Sequence, residues 1–219
     1  MSPELVALIA NGVWETLYMT IVSTVISYII GIPLGVILYI TGEGGIRRNR
    51  AVNLVVGIIV NVLRSIPFLI LLVAILPFTR FVVGTTIGST ATIVPLVVAA
   101  APYVARMVES SLKEIDGGVI EAARAMGSSA WQMIWKVFLP EAKPSLLVGA
   151  TISLATILGY SAMAGFVGGG GLGAIAINYG YYRYQSDVML ITVALLVVIV
   201  QIFQEGGLKL VNKVDKRLR

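Results

Sequence analysis

The sequence predicts an all-α, polytopic membrane protein of about five transmembrane helices. Three observations lead there. The 219 residues are 58% hydrophobic and only 12% charged, against about half apolar and a quarter charged in soluble domains. Apolar runs of about 20 residues recur, enough to cross a hydrocarbon core of roughly 30 Å. The runs are also continuous, whereas membrane β-strands alternate. Mean hydropathy is +0.93.

The elements follow in order. Residues 3–15 read as a short interfacial helix: Leu5, Leu8 and Ile9 share a face, and Trp14 suits a headgroup boundary. No basic stretch precedes the first apolar run, so nothing resembles a cleaved leader, and the run is expected to stay as a membrane helix. The five spans are about Tyr18–Ile40, Val52–Phe78, Ile87–Met107, Leu146–Phe166 and Val188–Phe203. Pro33, Pro67, Pro95 and Pro102 fall inside spans. Each removes a helix hydrogen bond and invites a kink, which suits either a gated bundle or ordinary packing. Gly31 and Gly35 have the small-xxx-small spacing that lets helix backbones approach, within or between chains. The chain reads as one transmembrane domain over 1–219. It shows no low-complexity segment and no internal repeat, which argues against transporters built from inverted repeats.

Thirteen of the sixteen basic residues fall on one side of this topology. They are Arg47, Arg48 and Arg50 after span one; Arg106, Lys113, Arg124, Lys136 and Lys143 between spans three and four; and Lys209, Lys213, Lys216, Arg217 and Arg219 in the tail. Arg80 and Arg183 lie opposite, and Arg64 lies within span two. The positive-inside rule places the N-terminus outside and the C-terminus in the cytoplasm. The net charge of +5 is therefore read as loop charge, with no nucleic-acid partner. With no Cys and no His, zinc or haem sites on those ligands, Cys nucleophiles and Ser-His-Asp triads are excluded. Tyr179, Tyr181, Tyr182 and Tyr184 cluster before span five as an aromatic belt, substrate contact being the alternative. Trp131 and Trp135 fall in the large cytoplasmic loop.

That loop, about 108–145, contains the longest polar stretch and reads as two short helices. Asp116 is an N-cap, and Val119, Ile120, Ala123 and Met126 recur on one side. Glu121 and Arg124 are spaced to pair, and Gly127 sits where a left-handed C-cap is wanted. Ser129 and Gln132 form a second capping box, and its helix is expected to stop near Leu139-Pro140. The first helix, about ten residues and ~15 Å long, stands on the cytoplasmic face. Its Ala122-Ala123 surface would let another protein approach closely. The plainer alternative is an amphipathic helix lying on the lipid.

Glu121-Ala122-Ala123, then three residues, Gly127, and after Val137 the pair Leu139-Pro140, resemble the coupling loop of binding-protein-dependent ABC importer permeases. Val137 replaces the commoner isoleucine. Arg64-Ser65-Ile66-Pro67-Phe68, Pro77-Phe78-Thr79-Arg80, Ala101-Pro102-Tyr103-Val104-Ala105-Arg106 and Gly159-Tyr160-Ser161-Ala162-Met163-Ala164-Gly165 extend the resemblance to the methionine-importer permeases, the small five-span branch. It implies a type I ABC importer permease fold in a bacterial cytoplasmic (inner) membrane. It also implies a homodimer, two ATPase subunits and an extracytoplasmic substrate-binding protein, with L- and D-methionine as substrate class. The helix carrying Glu121, Ala122, Ala123 and Gly127 would dock in a groove of the ATPase subunit. No cofactor is implied in this chain, and ATP with magnesium would sit on the ATPase.

Arg64 is the only strong charge read inside a span. It either faces a cavity, where it could attract a substrate carboxylate, or lies near the cytoplasmic interface if span two begins later. Tyr160, Ser161 and Met163 sit among small residues in the outer half of span four; Met163 is the candidate for an external gate, ordinary packing the alternative. Glu15 and Glu109, at opposite edges, read as solvated. Gly168-Gly169-Gly170-Gly171-Leu172-Gly173 lacks a preceding strand, and no Gly-x-x-x-x-Gly-Lys-Ser/Thr occurs, so the run reads as a flexible or closely packed external loop. The chain is not expected to be an enzyme. An importer for another amino acid or organic ion, and a stand-alone secondary transporter, remain the rival readings.

Overall fold

The computed structural model describes residues 3–214, so Lys216, Arg217 and Arg219 of the basic tail lie outside the described residues. Among them the chain is helical throughout, with no strand. In order come α1 (Pro3–Thr41), α2 (Arg50–Ser65), α3 (Phe68–Ala74), α4 (Leu76–Val83) and α5 (Ser89–Lys113). They are followed by α6 (Gly117–Ala125), α7 (Ala130–Gln132), α8 (Leu139–Glu141), α9 (Lys143–Ala164), α10 (Gly171–Ile175) and α11 (Ser186–Val214). Short π-helical stretches, Met133–Phe138 and Ala176–Tyr181, join α7 to α8 and extend α10. Four helices are long and apolar enough to cross a membrane, and α2 with α3 makes a fifth if the bent pair is one span.

α1 and α5 form the most extensive helix pair. The face of α1 turned inward is small or hydroxylated: Gly12, Thr16, Thr20, Ser23, Ser27, Gly31 and Gly35 are all buried. Such residues let backbones approach where lipid offers no hydrophobic drive. Their hydroxyls are partly satisfied by their own helix. Thr16 donates to the Gly12 carbonyl at 2.8 Å and Thr24 to Thr20 at 2.7 Å, the usual way to carry a hydroxyl in a membrane helix.

Three expectations are corrected. Residues 3–15 are no separate interfacial helix; they continue into α1 straight through Asn11-Gly12, because Gly12 packs closely against α10 and no Pro interrupts the run at this point. The segment Val52–Phe78 is not one straight span: α2 and α3 meet at 104°. Ile66 (ψ 124°) and Pro67 (ψ 136°) are both extended, since a proline ring disfavours helical geometry in the residue before it. Pro33, Pro95 and Pro102, by contrast, are carried inside continuous helices. The helix after Ser129 ends at Glu141, near the expected Leu139-Pro140 stop. The π stretch widens the helix just ahead of Pro140, where the imino nitrogen needs no partner, and the break falls at Ala142. α5 also runs to Lys113, so residues 108–113 of the expected loop are membrane-helix continuation.

Candidate functional site

The polar connection between α5 and α9 folds as a compact mount for α6. Asp116 caps α6: its carboxylate accepts from the Gly118 N–H at 2.8 Å. At the other end Gly127 adopts φ +75°. Its N–H donates to the Arg124 carbonyl at 2.9 Å, and Ser128 N–H donates to Ala123 at 3.2 Å. That pair of bonds is a Schellman closure, which needs the left-handed residue glycine supplies without a Cβ penalty. Ser129 and Gln132 exchange side-chain and backbone bonds, the expected capping box. The nine-residue α6 is thus fixed at both ends.

Ala123 and Ala122 part company. Ala123 is buried and packs into a cluster with Val104, Val108, Leu112, Met133 and Phe138. Leu139 packs against the same cluster, and Tyr39 of α1 meets Phe138 edge to face at 5.2 Å. Ala122 faces outward. The inward side predicted from Val119, Ile120, Ala123 and Met126 is therefore corrected: only Ile120 and Ala123 face the core. Val119, Ala122 and Met126, at i, i+3 and i+7, form an exposed stripe, with Met126 79% exposed. Glu121 and Pro140 are exposed, and among the described residues Glu121 and Arg124 form no ion pair. Trp131 and Trp135, both exposed, meet at 5.5 Å beside this surface. A short, capped helix with an apolar stripe between charges is shaped for a groove on a partner.

At the other end of the bundle the second group of candidates separates. Tyr160 stacks on Phe68 of α3, with centroids 4.5 Å apart and planes within 7°. Met163, three residues on, shares that side and is 44% exposed. Ser161 is buried on the opposite side, its hydroxyl donating to the Leu158 carbonyl at 2.8 Å. Arg64 is exposed in the last turn of α2. It lies fourteen residues beyond Arg50, about 21 Å along the helix.

Two acidic residues read as solvated are not. Glu109 is buried and ion-paired to Arg106 and Lys113. Glu15 accepts from the Gly171 N–H at 2.7 Å, and Thr16 accepts from the Leu172 N–H at 2.9 Å. With Thr92 donating to Gly169 at 3.2 Å, these bonds make the glycine run a closely packed loop rather than a flexible one. The sequence signal for Glu109 was its i−3 Arg and i+4 Lys. Tyr181, Tyr182 and Tyr184 are exposed, and Arg183 sits 4.4 Å over the Tyr179 ring.

Comparison with known proteins gives a consistent picture. The family model for binding-protein-dependent transport system inner membrane components matches residues 31–206. A protein of Vibrio cholerae named probable D-methionine transport system permease protein MetI is 50% identical over 210 residues, 96% of this chain and 93% of that protein. The D-methionine transport system permease protein MetI of Escherichia coli K12 is 54% identical over 165 residues, 75% of this chain and 76% of that protein. A chain of the inward-facing MetNI methionine ABC transporter superposes with a TM-score of 0.97 at 52% identity, covering 99% of this chain and all of that one.

Proposed function

The chain belongs to the family of binding-protein-dependent transport system inner membrane components, and from that premise we propose that it is the membrane-spanning permease subunit of an ATP-driven importer of methionine. Its helices cross the bacterial inner membrane, and two copies form the pathway with two separate ATPase chains. The α6 end faces the cytoplasm, in keeping with the basic residues around it, and α6 seats in the ATPase. An external binding protein delivers methionine at the opposite face.

The observation that carries this reading is α6 itself. It is closed by Asp116 and Gly127, anchored through Ala123 and presents Val119, Ala122 and Met126 outward. A helix held so rigidly transmits a push instead of absorbing it. ATPase closure moves α6, the bundle follows, and access switches to the external side. Tyr160 and Met163, backed by Phe68, suit the pathway side of α9, and Arg64 offers a cation for a carboxylate substrate. Ser161 contributes to packing rather than to that surface.

The test begins with native mass spectrometry of the gently extracted tagged chain. A complex of two copies with two ATPase chains, whose uptake of labelled methionine requires ATP and the binding protein, supports the proposal. A chain recovered alone, with ATP-independent uptake, overturns it. In the same assay Met163→Ala, which shortens a side chain 44% exposed beside Tyr160, is expected to raise passive substrate leak. Unchanged leak and unchanged coupling would remove Met163 from the gate.

A further inference from the structure

A charged cluster in the α6-bearing half of the bundle has no part in the site above. Glu109 lies in the last turns of α5, 7% exposed. Both of its oxygens are occupied: Oε2 accepts from Arg106 Nη1 at 2.6 Å and Oε1 from Lys113 Nζ at 2.7 Å. The second guanidinium nitrogen of Arg106 leaves α5 altogether. Nη2 donates to Asn61 Oδ1 of α2 at 2.9 Å and, more weakly, to the Gly57 carbonyl at 3.4 Å.

Such a cluster is an expensive way to join two membrane helices. The cost falls on Glu109, whose buried carboxylate recovers its desolvation penalty only when fully paired, while the Lys113 side chain stays largely exposed. α2 and α5 already possess an apolar contact in Val60 and Ala105, completed by Leu38 of α1. That contact is non-directional and lets one helix slide on the other. The Arg106–Asn61 bond is directional and fixes which turn of α2 sits beside which turn of α5. Glu109 holds the guanidinium in that orientation, and Lys113 balances the second carboxylate oxygen.

The two ends of this joint are the ones that matter for transport. Lys113 is the last residue of α5, and the α6 cap Asp116 follows three residues later. Beyond Asn61, α2 has one more turn before the Pro67 break, after which Phe68 stacks on Tyr160 of α9. We propose that Arg106, held by Glu109, is a positioning residue that transmits displacement of the α5–α6 unit to α2 and so to the Pro67 break. The proposal rests on the reading of α6 as the ATPase contact.

The experiment uses the whole complex in proteoliposomes and reads methionine imported per ATP hydrolysed, alongside ATPase co-purification. Asn61→Ala changes an exposed side chain and leaves α5 untouched; Glu109→Gln keeps the shape and removes the charge. Both variants are expected to retain their ATPase chains, yet to lose about threefold or more in transport per ATP, with the double variant no worse than the poorer single one. Wild-type ratios in both, or losses that simply multiply, would overturn the joint. If Glu109→Gln fails to assemble, Asn61→Ala alone decides between the two outcomes. Failure of the wild-type chain to retain any ATPase would instead overturn the reading of α6, a result distinguishable from loss of the joint.

Discussion

Gly127→Pro is expected to abolish ATP-driven uptake while leaving the chain in the membrane. Gly127 holds φ +75°, and a proline ring is locked near −65°. The substitution also deletes the N–H that donates to Arg124 at 2.9 Å. With the turn lost, the adjoining Ser128-to-Ala123 bond cannot form either. α6 has nine residues, and helices this short are marginal in isolation, so its caps decide whether it exists as a rigid element. Losing the closure and imposing strain costs a few kcal/mol locally, about the ~3 kcal/mol of a misplaced proline. Each ~1.4 kcal/mol lost from docking weakens it tenfold, so the affinity for the ATPase should fall about a hundredfold and ATPase co-purification should drop sharply. The membrane helices are untouched, and the amount of inserted dimer should match the unaltered chain. Glu121→Lys is the companion: exposed, outside the core, it reverses one surface charge and should weaken docking without disturbing α6. Normal ATPase retention and uptake in both variants would remove α6 from the coupling role.

The caps that make this prediction sharp were legible because capping is local chemistry. Asp116, Gly127, and Ser129 with Gln132 act on backbone groups within three residues. The membrane spans were legible for the same kind of reason, since a continuous apolar run has few other fates. What escaped the sequence depends on partners distant in the chain. Helical spacing puts Val119, Ile120, Ala123 and Met126 on a common arc, but only the position of the α5 and Phe138 cluster decides which edge of that arc is inside. Glu15 looked solvated because Gly171, which it caps, lies 156 residues away. Pro67 could not be told from Pro33, Pro95 and Pro102 by type. It alone precedes a helix that turns to stack Phe68 on Tyr160.

Gly35→Ala should be strongly destabilising, and Gly206→Ala its opposite. Both glycines lie inside long helices, where alanine by itself is favoured by about 1 kcal/mol. They differ in what a Cβ would meet. At Gly206 nothing lies within 4 Å, whereas at Gly35 it would come within 2.5 Å of the Ala105 carbonyl oxygen and 2.6 Å of the Val108 Cβ. Gly31, one turn away, has Val104 at 2.5 Å, so the seam is tight over two turns. Restoring ordinary contact needs α1 and α5 to separate by about 1 Å. Neighbouring atoms here are backbone and β-branched side chains that cannot rotate aside. The cost of such overpacking is about 1–3 kcal/mol or more, which outweighs the propensity gain. A lowered thermal-unfolding midpoint for Gly35→Ala, with an equal or higher one for Gly206→Ala, is the expected result. An unchanged midpoint at Gly35 would mean that the seam yields. The consequence reaches function because Ala105 and Val108 flank Arg106 on α5. Shifting that segment outward moves the guanidinium relative to Asn61, so transport per ATP should fall further than stability alone accounts for.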